Sequence, residues 1–234
     1  MLITAVNEFT LLDYPGKIAA IIFTAGCNMR CGYCHNSQFV IPEELEKMKG
    51  NFIPFEAVKN FLKTRVDKLD GVVISGGEPT IHNHLPEFME KIKDMGFLVK
   101  LDTNGTNSKM IKKILDKNLA DYIAMDIKTS LNKYNDLTRM NINIKEITKS
   151  IELIKNSNIK YEFRSTILPE CHDLETLKEM GQMIKDSRLW ALQNFRNISV
   201  LNEKFKEFSS FSKKELEEFK IELEDYVNKI EIRH

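Results

Sequence analysis

The sequence predicts an α/β fold in which a mainly parallel sheet is covered by helices. Short apolar, β-rich runs alternate with longer stretches of helical period, and the runs are nearly continuous in apolar residues, as strands buried on both faces are. Polar, glycine-rich and thiol residues then recur where these runs end, which is where parallel α/β folds gather their ligands. A doubly wound sheet and a barrel are the two architectures compatible with this rhythm.

The elements follow in order. IAAIIFTAG (residues 18–26) is a strand that runs straight into a cysteine cluster. FEAVKNFLKTRV (55–66) places Val58, Phe61, Leu62 and Val66 on one helix face. GVVISGG (71–77) is a strand closed by two glycines, and HLPEFMEKIKDMG (84–96) a helix stopped at Gly96. FLVKLDTNG (97–105) is a strand and turn, SKMIKKILDKN (108–118) a helix and DYIAMDIK (121–128) a strand. Helix 141–158, strand 160–168, helix 173–186 and strand 189–195 complete six strands. SKKELEEFKIELEDYVNK (212–229) opens with the capping-box pattern Ser212-x-x-Glu215 and reads as an outer helix. The chain shows no low-complexity tract and no linker, so one domain over 1–234 is expected, with a core of about 15–196 and a helical extension of about 203–234.

Bulk composition excludes several classes. With 234 residues and 42% hydrophobic content the chain can bury one sizeable core. Lys plus Arg and Asp plus Glu number 34 each, so no strongly basic field points to nucleic acid. The N-terminus lacks a secretory pattern, and no apolar run approaches the ~20 residues of a membrane span. A cytoplasmic location is expected, where clustered cysteines mark metal binding or catalysis more often than disulfides.

CNMRCGYCHN (27–36) holds three of the four cysteines; Cys171 stands apart as an isolated thiol. Cys31-Gly-Tyr-Cys34-His35 matches the c-type haem pattern, but haem attachment belongs to exported chains. Cys31 to Cys34 also matches a thiol–disulfide motif, which leaves Cys27 unexplained. Structural zinc needs four ligands, for which His35 would be a cramped fourth. An iron–sulfur cluster takes the spacing at face value, since three thiolates on a [4Fe–4S] cube leave one iron open. His82 and His84 lie at a helix start and read as capping or solvent-exposed residues.

The spacing Cys27-x3-Cys31-x2-Cys34, with the aromatic Tyr33 before the third cysteine, resembles the signature of the radical S-adenosylmethionine (SAM) superfamily. Gly76-Gly77-Glu78-Pro79 resembles its second-strand motif, and Leu101-Asp-Thr-Asn-Gly and Asp126-Ile-Lys128 resemble motifs of its glycyl-radical-enzyme activases. The leader LLDYPGKIAAIIFTAGCNMRCGYCHN is similar to that of activases of anaerobic ribonucleoside-triphosphate reductase. The resemblance, spread over about residues 10–196, implies a partial, laterally open (β/α)6 barrel. It implies that Cys27, Cys31 and Cys34 ligate one [4Fe–4S] cluster whose fourth iron is chelated by SAM. Tyr33 would lie near the adenine, Gly76, Gly77 and Glu78 at the methionine amino group, and Asp102, Thr103 and Asp126 around a monovalent cation, with Lys128 neutralising charge nearby. Arg164, a charge in an apolar strand, needs a partner that the cofactor carboxylate or ribose, or an internal acid, would supply. Gln193 and Phe195 stand where some activases place a histidine.

The implied activity is reductive cleavage of SAM to a 5′-deoxyadenosyl radical that installs a glycyl radical on a partner enzyme. That partner is expected to be the anaerobic ribonucleotide reductase, with flavodoxin or ferredoxin as electron donor. Six strands leave a lateral opening for a polypeptide loop. The rivals are activation of a pyruvate formate-lyase type enzyme, radical chemistry on a small molecule, and a non-catalytic iron–sulfur carrier or sensor.

Overall fold

The computed structural model describes residues 1–233. The six expected strands are all present: β2 (Ala19–Thr24), β3 (Gly71–Gly76), β4 (Leu98–Thr103), β5 (Tyr122–Asp126), β6 (Lys160–Ile167) and β7 (Trp190–Asn194). Each pairs in parallel with the next, with Ile22 opposite Ile74, Leu101 opposite Ile123 and Phe163 opposite Trp190. Two further strands extend the sheet. β1 (Ile3–Thr10) runs antiparallel along β2, and β8 (Ile230–Arg233) adds in parallel to β7, so the order is β1 through β8 with the two ends unpaired.

The helices α1 (Pro42–Lys47), α2 (Phe55–Lys63), α3 (Leu85–Asp94), α4 (Ser108–Asp116), α5 (Tyr134–Thr138), α6 (Ile144–Lys155), α7 (Leu174–Met183) and α8 (Lys213–Leu223) fill the crossovers. Their starts are set by local chemistry: Asn107, Asn143 and Asp173 each accept from a first-turn amide, and Ser212 with Glu215 forms the expected capping box. Helix α2 stops at Lys63, short of Val66, which the helical reading had placed on its buried face; Val66 is exposed, and Asp67 just beyond it adopts positive φ. Gly96 does end its helix, at φ +90°.

Side chains alternate across each strand, and here the two faces differ in chemistry. Ile22, Val72, Ile74, Leu101, Ile123, Phe163 and Leu192 join the large core shared with the helices. Ala19, Ile21, Val73, Tyr122 and Ala124 form a smaller cluster with Tyr14 on the opposite, inner face. From β4 onward that inner face turns charged, because Lys100, Asp102, Asp126, Glu162 and Arg164 share the parity of Tyr122 and Ala124.

The C-terminal extension is more than an outer helix. After β7 the chain folds back over the cysteine loop, where Asn202 N donates to Gly32 O at 3.0 Å, before α8 and β8. The expected extension ends at His234, which lies outside the described residues. Among the described residues no helix is long and apolar enough to cross a membrane.

Candidate active site

The cysteine loop leaves β2 through Gly26, whose φ of +83° suits glycine and whose amide donates to Phe39 O at 2.7 Å. Arg30 holds the loop's shape by donating from Nη1 to Cys27 O at 2.6 Å and Met29 O at 2.8 Å, while its amide donates to Thr138 O. All three cysteines are free thiols, Cys31 buried and the other two half-buried. Burial pushes the Cys27 thiol up to about 12, helped by the negative Glu78, and burial likewise raises Cys31 and Cys34 against the opposing pull of Lys128. These thiols therefore keep their protons until a metal displaces them, as a coordinating centre does.

The two glycines after β3 are needed where the chain crosses the base of that loop. A Cβ on Gly77 would sit 1.8 Å from Gly26 O, and one on Gly76, already at φ +115°, 2.3 Å from Thr24 N. Main chain thus packs on main chain: Gly77 N donates to Thr24 O and Glu78 N to Gly26 O. The side chain of Glu78 is fully enclosed and accepts four donors, Thr80 N, Thr80 Oγ1, Thr103 Oγ1 and Asn104 N. Burial raises its pKa, and those four bonds oppose the rise. Glu78 therefore ties the ends of β3 and β4 together.

Across the inner face runs a ladder of alternating charge. Lys100 pairs with Asp102; Arg164 reaches Asp102 at 3.4 Å and, through Nε, Asp126 at 2.7 Å; Lys128 donates to Asp126 at 2.8 Å. Burial alone would raise both carboxyl pKa values, but Lys100 and Arg164 at Asp102, and Arg164 and Lys128 at Asp126, hold them below the usual range. Lys128 and Arg164 line the cavity beside Asp102 and Asp126, while Lys100 backs Asp102 from a buried position.

One cavity collects these parts. Counting its mouth it encloses about 860 Å³, and its walls include Cys27, Cys31, Cys34, Tyr33, Gly76, Gly77, Glu78, Asp102, Thr103, Asp126, Lys128 and Arg164. Every residue nominated from the sequence for this site is therefore at one place. Gln193 also lines it, whereas Phe195 is buried beneath the His35 ring, 6.1 Å between centroids. His35 bonds Arg196 O at 2.8 Å, which links the cysteine loop to the end of β7. His82 bonds Ala25 O at 2.9 Å and His84 is exposed beside Glu87.

Sequence reasoning missed Lys100, Asn104, His172 and Phe205. Lys100 was legible, because in LVKLDT it shares the parity of Asp102. Asn104 bridges loops by donating to Asn28 Oδ1 at 2.9 Å. His172 accepts from Leu168 N at Nδ1, which makes Nε2 the donor to Lys128 O at 2.8 Å. No local pattern announces a contact of this kind.

The donor set fits an iron–sulfur cluster better than a single ion. Among the described residues no three His, Cys, Asp or Glu side chains are grouped to hold one metal ion. Thiols spread around a wall suit a cluster in which each sulfur meets its own iron. The Lys128 ammonium and Arg164 guanidinium, both on the cavity wall, suit the carboxylate of a bound cofactor.

Comparison with known proteins agrees. The family model described as the radical SAM superfamily matches residues 21–186. A Methanocaldococcus jannaschii protein assigned as a glycyl-radical enzyme activating enzyme is 34% identical over 239 residues, covering 99% of this chain and 95% of that one. The pyruvate formate-lyase-activating enzyme of Clostridium pasteurianum is 28% identical over 197 residues, 80% of this chain and 77% of its own. Among solved structures, Streptococcus suis SuiB superposes with a TM-score of 0.61 at 14% identity, over 91% of this chain and 47% of its own, a likeness of fold in which this chain spans about half of the other.

Proposed function

The chain belongs to the radical SAM superfamily, and from that membership we propose that it installs a glycyl radical on a partner enzyme, the anaerobic ribonucleoside-triphosphate reductase. It is an enzyme of the glycyl-radical activating type. The observation that carries the reading is the meeting in one cavity of three free cysteines with the GGE, LDT and DIK strand ends. Cys27, Cys31 and Cys34 would hold one [4Fe–4S] cluster, and the cavity they share with the charge ladder would take SAM. The bound groups supply one-electron chemistry that ends in hydrogen abstraction from a glycine Cα.

The protein's own residues bind and orient. Lys128 and Arg164 would receive the methionine carboxylate, their own positions fixed by Asp126 and Asp102. Gly76 and Gly77 bring main chain against the methionine end, and Glu78 keeps Thr103 and Asn104 in register beside it. Tyr33, on the same cavity wall, would lie near the adenine. A monovalent cation beside Asp102, Thr103 and Asp126 belongs to the same reading: both carboxyls are held ionised by their basic neighbours, and the Thr103 hydroxyl, which donates to Glu78, keeps oxygen lone pairs for a cation. We take the whole chain as one radical-SAM domain working in the cytoplasm with flavodoxin or ferredoxin as donor; the unbroken order of β1 to β8 supports the single domain.

The test is anaerobic reconstitution and reduction, followed by assay of 5′-deoxyadenosine from SAM and of a glycyl EPR signal with either candidate partner. The expected result is cleavage together with a signal on the ribonucleotide reductase. Signal only on a pyruvate formate-lyase moves the assignment to that partner, and cleavage with a silent spectrum on both points to a small-molecule substrate. An intact, reduced cluster that cleaves no SAM overturns the enzyme reading.

A further inference from the structure

Asn104, in the turn after β4, is 5% exposed, and its side-chain amide reaches the base of the cysteine loop. Nδ2 donates to Asn28 Oδ1 at 2.9 Å and to Cys27 Sγ at 3.8 Å, a separation that suits the large, diffuse sulfur acceptor. Met29 N donates to the same sulfur at 3.3 Å. Among the described residues, Cys27 is the one thiol met by a side-chain amide.

Which end of the amide faces the sulfur is settled by its neighbours. Asn104 Oδ1 accepts from Thr106 N at 3.0 Å and from Thr106 Oγ1 at 2.7 Å, while Asn28 Nδ2 donates to Thr106 Oγ1 at 2.8 Å. Thr106 N can only donate, so turning the Asn104 amide over would set one donor against another and bring oxygen against the sulfur. On the backbone side, Asn104 N donates to Glu78 Oε2 at 2.6 Å. Asn104 is thus held in place by groups other than the thiol. The turn itself needs only the oxygen that accepts Thr106 N, which Asp or Ser would supply equally well. The nitrogen end is what asparagine adds, and it is aimed at Cys27.

We propose that Asn104 donates an N–H···S hydrogen bond to the ligating sulfur of Cys27 and thereby raises the reduction potential of the cluster. This rests on the reading of Cys27, Cys31 and Cys34 as cluster ligands. A metal-bound thiolate is a stronger acceptor than a thiol, because it carries charge. Reduction adds negative charge, part of it on the ligating sulfurs, so a donor fixed at one of them stabilises the reduced form more than the oxidised form. Asn104 is a positioning residue that acts through Cys27.

The test compares wild type with Asn104→Ser, both reconstituted anaerobically without SAM, by iron content and EPR-monitored redox titration. Serine keeps an oxygen for the Thr106 amide and is too short to reach the sulfur. Equal iron is expected, with the reduced-to-oxidised ratio of Asn104→Ser about three- to tenfold lower at a fixed solution potential; tenfold is about 59 mV for a one-electron couple. Pulsed EPR of the reduced cluster, in protein carrying 15N only at its asparagine side-chain amides, reads the bond directly. A 15N coupling is expected in wild type and in Asn28→Ser and is lost in Asn104→Ser, a pattern that loosened packing would not produce. If Asn104→Ser takes up no iron, the other two proteins carry the test: a coupling in both supports the bond, and its absence from either overturns it. Equal potentials at full iron overturn the proposal and leave the cluster assignment standing. Wild-type protein that takes up no cluster overturns the assignment beneath it.

Discussion

Two buried charge networks occupy the inner face of the sheet, and they are built to opposite ends. The lower one centres on Glu162, at 1% exposure, which accepts the Tyr122 hydroxyl at 3.0 Å and a fork from Arg233 at 3.0 and 2.7 Å. The same arginine also meets Glu231 at the edge, and the apolar cluster of Tyr14, Ile21 and Val73 shares its face. The upper one sets Lys100, Arg164 and Lys128 against Asp102 and Asp126 and borders the cavity. Both cost desolvation. The lower network repays it by closing on itself, whereas the upper one presents Lys128 and Arg164 on the wall of the cysteine-lined cavity, where an anionic ligand can reach them. Burial and ion pairing alone therefore do not mark a site; access to the cysteine-lined cavity does.

The sharpest way to break this comparison is Arg164→Met. It strips the ion-pair partner shared by Asp102 and Asp126, so urea unfolding is expected to show a loss of about 3–5 kcal/mol, and SAM binding by equilibrium dialysis should fall with it. Glu162→Gln is the matched change below: Arg233 is partly exposed, so water softens the loss to about 1–3 kcal/mol, with iron content and SAM affinity unchanged. Equal damage to SAM binding from both variants would erase the distinction.

His172 lies behind the upper network, fully buried and donating to Lys128 O. Burial lowers its pKa, so as pH falls the unfolded chain takes up the proton first. Its contribution to stability is complete above a pH of about 6.5 and declines below it, by at most about 1.4 kcal/mol per pH unit. Urea curves of wild type and His172→Gln at several pH values should therefore converge on acidification; parallel curves would contradict the neutral, donating ring. The smallest effect is expected from Ser212→Ala, which removes the capping box that starts α8, the helix leading to β8 and Arg233. A loss of about 1 kcal/mol is expected, with SAM binding untouched.

Most of the site was legible in the sequence because its parts lie at strand ends, and strand ends can be read from apolar runs. Cys27, Cys31 and Cys34 carried the strongest local pattern, and Arg164 stood out as a charge in an apolar run. Glu162 and Arg233 left weaker traces, since each occupies an inner-face position within a strand and finds its partner 71 residues away. β1 was missed because its burial falls from buried at Ile3 to exposed at Asn7, Glu8 and Phe9 and its register slips twice, and β8 because four residues are too few for a period.

Local sequence determined the alternation of strands and helices, the thiol spacing and the glycine positions, because these depend on neighbours a few residues apart. Tertiary structure decided the rest. It showed that Gly76 and Gly77 are demanded by the backbone of Thr24 and Gly26, that Glu78 braces two strand ends, and that Asp102 and Asp126 are paired with basic side chains. It also seated a segment from beyond residue 195 on the cysteine loop, bringing Phe205 onto Tyr33. Such contacts depend on where the sheet carries distant side chains, and no short window of sequence contains that information.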